Sequence, residues 1–125
     1  MDGISLSGGE WKLMNLLWDK KPRTVTEMVE ALKGDTDWSG ATVNIMLSRL
    51  SQKGAVMVEK EGRIKQYYPV LDRNSAVRLE AQTTLNKVRF GGLGLLISTM
   101  AGEVELSDND IDELTNILKE GRNAQ

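Results

Sequence analysis

Trp38-Ser39-Gly40-Ala41-Thr42-Val43-Asn44-Ile45-Met46-Leu47-Ser48-Arg49-Leu50-Ser51-Gln52-Lys53-Gly54 is the stretch whose reading decides the fold. It carries a start and a stop for one helix. The Ser39 hydroxyl can accept from an orphan N–H of the first turn, and Gly54 can take positive φ just past the end. Val43, Met46, Leu47 and Leu50 recur at i, i+3, i+4 and i+7, so one face is apolar. The opposite face carries Ala41, Ile45, Ser48 and Gln52, flanked by Thr42, Asn44 and Arg49, and holds no acid. A helix meant only for solvent usually mixes both charge signs, whereas one that lies against an anionic groove avoids carboxylates. The pattern suggests a DNA recognition helix, set against the plainer reading of an amphipathic core helix with a weakly charged outer face.

Upstream, Ser7-Gly8-Gly9-Glu10 has the spacing of a capping box. It predicts a helix to about Asp19 with Trp11, Met14, Leu17 and Trp18 on one side, stopped by Lys20-Lys21-Pro22. Thr24-Val25-Thr26-Glu27 repeats the box and opens a short helix with Met28, Val29, Ala31 and Leu32 inside, ended by Gly34. Two helices followed by one with a bare face form a helix-turn-helix pattern.

Downstream, Ala55 to Lys60 is rich in β-formers and Glu61-Gly62 can turn. Arg63 to Tyr68 then alternates, with Ile64 and Gln66 on one side and Arg63, Lys65 and Tyr67 on the other, and Pro69 ends it. Two strands about a glycine turn make a hairpin, so the order is that of a winged helix-turn-helix. Lys60, Arg63 and Lys65 at the wing suit a phosphate backbone, although a solvated basic hairpin would look the same. The expected DNA contacts are Ala41, Thr42, Asn44, Ile45, Ser48, Arg49, Lys53, Lys60, Arg63 and Lys65.

The remainder reads as helical. From about Asn74 to Phe90, Val77, Ala81, Leu85 and Val88 form a stripe, and Arg89-Phe90-Gly91-Gly92 breaks it. Leu93 to Ala101 is nearly all apolar and so must be buried on all sides. A last helix starts at Ser107, with acids at its positive dipole end, and runs to Gly121 with Ile111, Leu114, Ile117 and Leu118 on its inner face. So few residues cannot cover that apolar surface, and a second copy would. A symmetric homodimer is expected through Val77, Leu85, Val88, Leu93, Leu96, Ile97, Met100, Ile111, Leu114 and Leu118. The alternative is a monomer whose tail folds back on the first helix. The expected fold is mostly α with a small β-hairpin: a winged helix-turn-helix over 1–71 and a helical dimerisation region over 72–125.

Composition narrows the function classes. The chain has 125 residues, no cysteine and no histidine, so disulfides, thiolate metal sites and the commonest general base are excluded. No phosphate loop or catalytic dyad stands out: Gly91-Gly92-Leu93-Gly94 lacks the Gly-Lys-Ser/Thr ending, and the acids from Glu103 to Asp112 match no calcium-loop spacing. The chain is expected not to be an enzyme and to need no cofactor or metal. Its longest apolar run is too short to span a bilayer, so a cytoplasmic protein without membrane insertion is expected. The net charge of −2 argues weakly against nucleic acid, but residues 1–70 hold ten Lys/Arg against nine Asp/Glu, and residues 71–125 six against nine. Local charge decides, because screening limits the field to about 8–10 Å. Two rivals stand beside DNA binding: a winged helix that binds protein, and a regulator with a small-molecule pocket in the apolar tail.

The chain resembles the penicillinase repressor family of the BlaI/MecI type, which also includes copper-responsive repressors. The residues that carry the likeness are Glu10-Trp11, Met14 and Trp18, then Asp37-Trp38-Ser39, Thr42-Val43, Leu47, Arg49-Leu50 and Lys53-Gly54. Gln66-Tyr67-Tyr68-Pro69, Gly91-Gly92 and Leu106-Ser107 continue it over nearly the whole chain. The resemblance implies a homodimeric repressor on palindromic operators of resistance genes, removed when a membrane sensor-peptidase signals cleavage of the tail. It implies that Ala41, Thr42, Asn44 and Ser48 face bases and that Arg49 holds phosphate. This chain has Gly40 and Ala41 where the family often has proline and a base, and Asn44 where another base is usual. Fewer charges imply weaker, less salt-dependent binding. Asn44 can still read adenine, and Ala41 or Ile45 can touch a thymine methyl. Thr99-Met100 stands where the family has its Asn-Phe cleavage pair, and the cysteine-rich tail of the copper branch is absent.

Overall fold

The computed structural model of the chain describes residues 3–88 and 91–123. The elements are α1 (Gly8–Asp19), α2 (Val25–Ala31), α3 (Gly40–Gln52), β1 (Val56–Glu61), β2 (Ile64–Pro69), α4 (Arg73–Lys87), α5 (Gly92–Glu103) and α6 (Asp108–Asn123). Mostly helix with one antiparallel hairpin, this is the expected class. The chain forms two compact units that meet at Thr83/Thr84.

In the first unit the caps act as read. Glu10 N–H donates to Ser7 Oγ at 3.2 Å, and Ser7 N–H to Glu10 Oε1 at 2.8 Å. Thr24 and Glu27 repeat the pair at the start of α2. Thr42 N–H donates to Ser39 Oγ at the start of α3, and Gly54 takes φ 82° just beyond its end. Leu13, Met14 and Leu17 of α1, Met28 of α2, and Val43, Leu47 and Leu50 of α3 are fully buried. Each such side chain stabilises the fold by about 1.5–3 kcal/mol relative to exposure. Leu13, which the sequence reading passed over, sits among them, whereas Ala31, expected inside, is exposed. Gly9 lets α1 approach α3: a Cβ there would lie 2.7 Å from Met46 Cε and 3.2 Å from the Trp38 ring.

Glu61 pairs with Ile64 across the two-residue turn Gly62-Arg63, and Val58 with Tyr67 further down. The alternation is as expected, but it is Tyr67 that enters the core, while Ile64 stays exposed. A third short stretch decides this. Arg23 pairs with Tyr67 through both backbone groups, at 3.2 and 2.9 Å, on the free edge of β2. The Arg23 side chain also donates to the Leu16 and Lys20 carbonyls and so closes the end of α1. The first unit runs past residue 71 because α4 seals its base: Ala76 is buried, and Trp18 Nε1–H donates to the Leu71 carbonyl at 2.9 Å.

Gly40 is the first residue of α3, behind Ser39 in extended conformation (φ −83°, ψ 168°). Proline suits that position, its extended predecessor is compatible, and it removes freedom from the unfolded chain. Gly40→Pro is expected to stabilise the protein by about 0.5–1 kcal/mol, read as a higher midpoint in urea. An unchanged or lower midpoint would count against the local geometry given for this helix start.

In the second unit, Asp110 N–H donates to Ser107 Oγ and Ser107 N–H to Asp110 Oδ2, so α6 starts where read. It continues through Gly121 to Asn123 instead of stopping there, because the αL geometry expected of a terminal glycine is absent at Gly121. The expected break at Arg89-Phe90 lies outside the described residues; Gly91 follows with φ 101°. The apolar run in α5 is not buried on all sides within the chain. Leu93, Leu95, Ile97 and Met100 are 47–71% exposed, and Leu96 is half-buried. On α6, Ile111, Leu114, Ile117 and Leu118 are exposed as well. Between them lies an apolar groove of about 350 Å³ lined by Ile97, Met100, Val104, Leu106, Leu114 and Leu118. Among the described residues no helix is long and apolar enough to cross a membrane.

Candidate nucleic-acid interface

The buried stripe of α3 fixes the direction of the other face. With Val43, Leu47 and Leu50 sealed into the core, the 3.6-residue period turns Ala41, Asn44, Ile45, Ser48, Arg49 and Gln52 outward, and all are exposed. Thr42 is half-buried beside the cap, its hydroxyl 3.3 Å from that of Ser39. Ile45 is 56% exposed and so presents an aliphatic surface on this face.

The hairpin closes one side of this face. Asn44, Ile45, Ser48, Arg49 and Gln52 of α3 and Lys65 of β2 line one open concavity of about 470 Å³. None of Arg49, Lys60, Arg63 and Lys65 forms an ion pair with a described residue. Arg49 and Lys65, with no carboxylate partner among the described residues, therefore flank a helix face without acids, and Lys60 and Arg63 add two more exposed cations on the hairpin. The concavity offers amide and hydroxyl groups for base edges and cations for phosphates, which is the division of labour a duplex requires.

Of the expected set, Ala41, Thr42, Lys60 and Arg63 do not line the concavity, and Lys53 and Gln52 depart from expectation more sharply. Lys53 is turned away from the concavity: its ammonium donates to Glu10 Oε1 at 2.5 Å and to the Ser5 carbonyl at 2.8 Å. Glu10 is 4% exposed. Burial pushes its carboxyl pKa up, but the Lys53 ammonium and the Ser7 N–H outweigh that and hold it below the ordinary carboxylate value. Lys53 thus ties the end of α3 to the start of α1. Gln52, absent from the expected contacts, lies in the concavity. The only sequence signal for it was its place on the outer stripe, at i+4 from Ser48.

A family model described as Penicillinase repressor matches residues 6–120. The methicillin resistance regulatory protein MecI of Staphylococcus aureus strain N315 is 32% identical over 113 residues, covering 90% of this chain and 92% of that protein. The penicillinase repressor of Bacillus licheniformis is 30% identical over 120 residues, covering 96% and 94%. The solution structure of the Bacillus licheniformis BlaI monomeric form in complex with the blaP half-operator is similar to this chain with a TM-score of 0.51 and 33% identity. That likeness covers 60% of this chain and 93% of the other.

Proposed function

The chain belongs to the penicillinase repressor family and is a DNA-binding transcriptional repressor, and we propose that it works as a homodimer on palindromic operators. The observation that carries the reading is the single concavity shared by Asn44, Ile45, Ser48, Arg49 and Gln52 of α3 and Lys65 of the wing. In it, Asn44 and Gln52 supply paired donors and acceptors for an adenine edge, Ile45 meets a thymine methyl, and Arg49 and Lys65 hold the backbone, with Ala41 exposed on the same helix face. Thr42 and Ser48 complete the groove face.

Two supports favour the dimer. The aliphatic groups of α5 and α6 form an exposed apolar surface of a kind that marks an association site. A BlaI monomer is described on a half-operator, so one head per half-site is the natural unit. Repression is then steric, since a dimer across a promoter excludes polymerase. The proposed targets are resistance genes of the β-lactamase type. The proposed setting is the cytoplasm, and a membrane sensor-peptidase is the proposed releasing partner. Thr99 and Met100 are exposed but helical in α5, so a peptidase would first have to unwind that helix.

The decisive experiment is fluorescence anisotropy on duplex from the region upstream of the protein's own gene, with random duplex as control and salt varied. Tight, salt-sensitive preference for the upstream DNA is expected; weak and equal binding would give the lead to a protein-binding winged helix. Within the complex, Asn44→Ala is expected to relax discrimination at one base pair by about 1–3 kcal/mol. Arg49→Ala should weaken all sequences alike. Uniform loss on Asn44→Ala would show the groove assignment to be mistaken.

A further inference from the structure

The wing sorts its charges by face. Strand alternation puts Lys60 and Lys65 on the side from which Val56 and Tyr67 enter the core, and puts Glu59 and Glu61 on the other side with Ile64 and Gln66. Lys60 and Lys65 are also direct cross-strand partners. Opposed residues in an antiparallel ladder hold their Cβ atoms about 4.5–5.5 Å apart, and like charges so placed repel. Both lysines are exposed, and neither forms an ion pair with a described residue. The acids that flank Lys60 in sequence project away from it. Lys65 opens onto the concavity beneath α3.

We propose that Lys60 and Lys65 form a two-pronged site for a single phosphate of the DNA backbone, beside the base-reading face of α3. The inference rests on the DNA-binding reading and assigns the wing a defined ligand group. A backbone phosphodiester carries one negative charge on two non-bridging oxygens, one for each ammonium. Seated between the lysines, it replaces their repulsion with two charge-assisted hydrogen bonds. A register slip of one residue would present Glu59 and Glu61 to the backbone instead, so the pairing itself keeps the cationic face inward.

The test uses the whole protein with Lys60→Gln, Lys65→Gln and both together, in two arms. In the first, binding to the upstream duplex is followed across salt. One shared phosphate predicts that the double variant lowers the slope of log affinity against log salt by about 0.9 per half-site. Each single variant should lower it less, because the remaining lysine still neutralises the phosphate. A fall of about 1.8 per half-site, with each single variant giving half of it, would mean two separate phosphates, and an unchanged slope would mean no contact; either overturns the proposal while leaving DNA binding intact. In the second arm, the protein alone is melted at low salt. Removing one lysine should raise the melting temperature, and added salt should shrink the gain. A Lys60→Gln protein no more stable than the parent would remove the close opposition on which the site depends. Failure of every variant and of the parent to bind any duplex would instead bring down the DNA reading, and this inference with it.

Discussion

Leu95→Glu combined with Leu118→Glu is expected to halve the particle mass in sedimentation and to lower operator affinity about 100-fold or more, the scale of a lost tether between two sites. The two leucines are 71% and 63% exposed, so the chain's own fold makes little use of them. In the proposed dimer a second molecule would bury them. Carboxylates at these positions would have to be desolvated in an apolar interface, which is costly when they are unpaired. Each separated head would keep its half-site contacts but lose the high local concentration of the second half-site. Half-operator binding should therefore change little, while full-operator binding falls steeply. A double variant that kept its dimer mass would show that another surface joins the subunits.

Lys53→Ala is expected to destabilise the first unit by about 2–3 kcal/mol, well beyond the loss usual for an ordinary surface lysine. The reason is what it leaves behind. The Glu10 side chain is 5% exposed, and its carboxylate would be stranded without its cation. Glu10→Gln with Lys53→Ala should recover part of the loss, because a neutral amide can still accept from Ser7. The pair also sets an acid limit. The folded pKa of Glu10 lies below its ordinary value of 4.5, so between the two values the unfolded chain binds more protons and stability rises with pH. The contribution is complete above 4.5 and is lost as pH falls through the folded value. Urea midpoints measured from pH 6 downward should show this fall in the parent and a shallower one in Glu10→Gln. Equal slopes would mean that Glu10 does not carry it.

Much of the first unit was legible because its signals are short-range. A serine or threonine and a glutamate three residues on specify the starts of α1 and α2, and Ser39 and Gly54 mark the limits of α3. The apolar period then orients α3, so its outer residues could be named from the sequence. The homologous family was legible for the same reason, since its motif residues lie at these caps and along these stripes. The apolar character of α5 and α6 was likewise visible in the sequence, although the exposure of Leu93, Leu95, Ile97 and Met100 was not.

Tertiary structure alone decided the rest. Glu10 and Lys53 are 43 residues apart, and nothing local separates a lysine aimed at DNA from one aimed at a buried carboxylate. Which face of the wing turns inward depended on Arg23 pairing with Tyr67, a contact set by the path of the chain between α1 and α2. Gln52 entered the concavity because β2 brings Lys65 beside the end of α3. Composition, caps and period act within a turn or two of backbone, so they determine elements and their faces. Which faces meet, and which charges are thereby paired or left free for a ligand, is determined only when segments distant in sequence pack together.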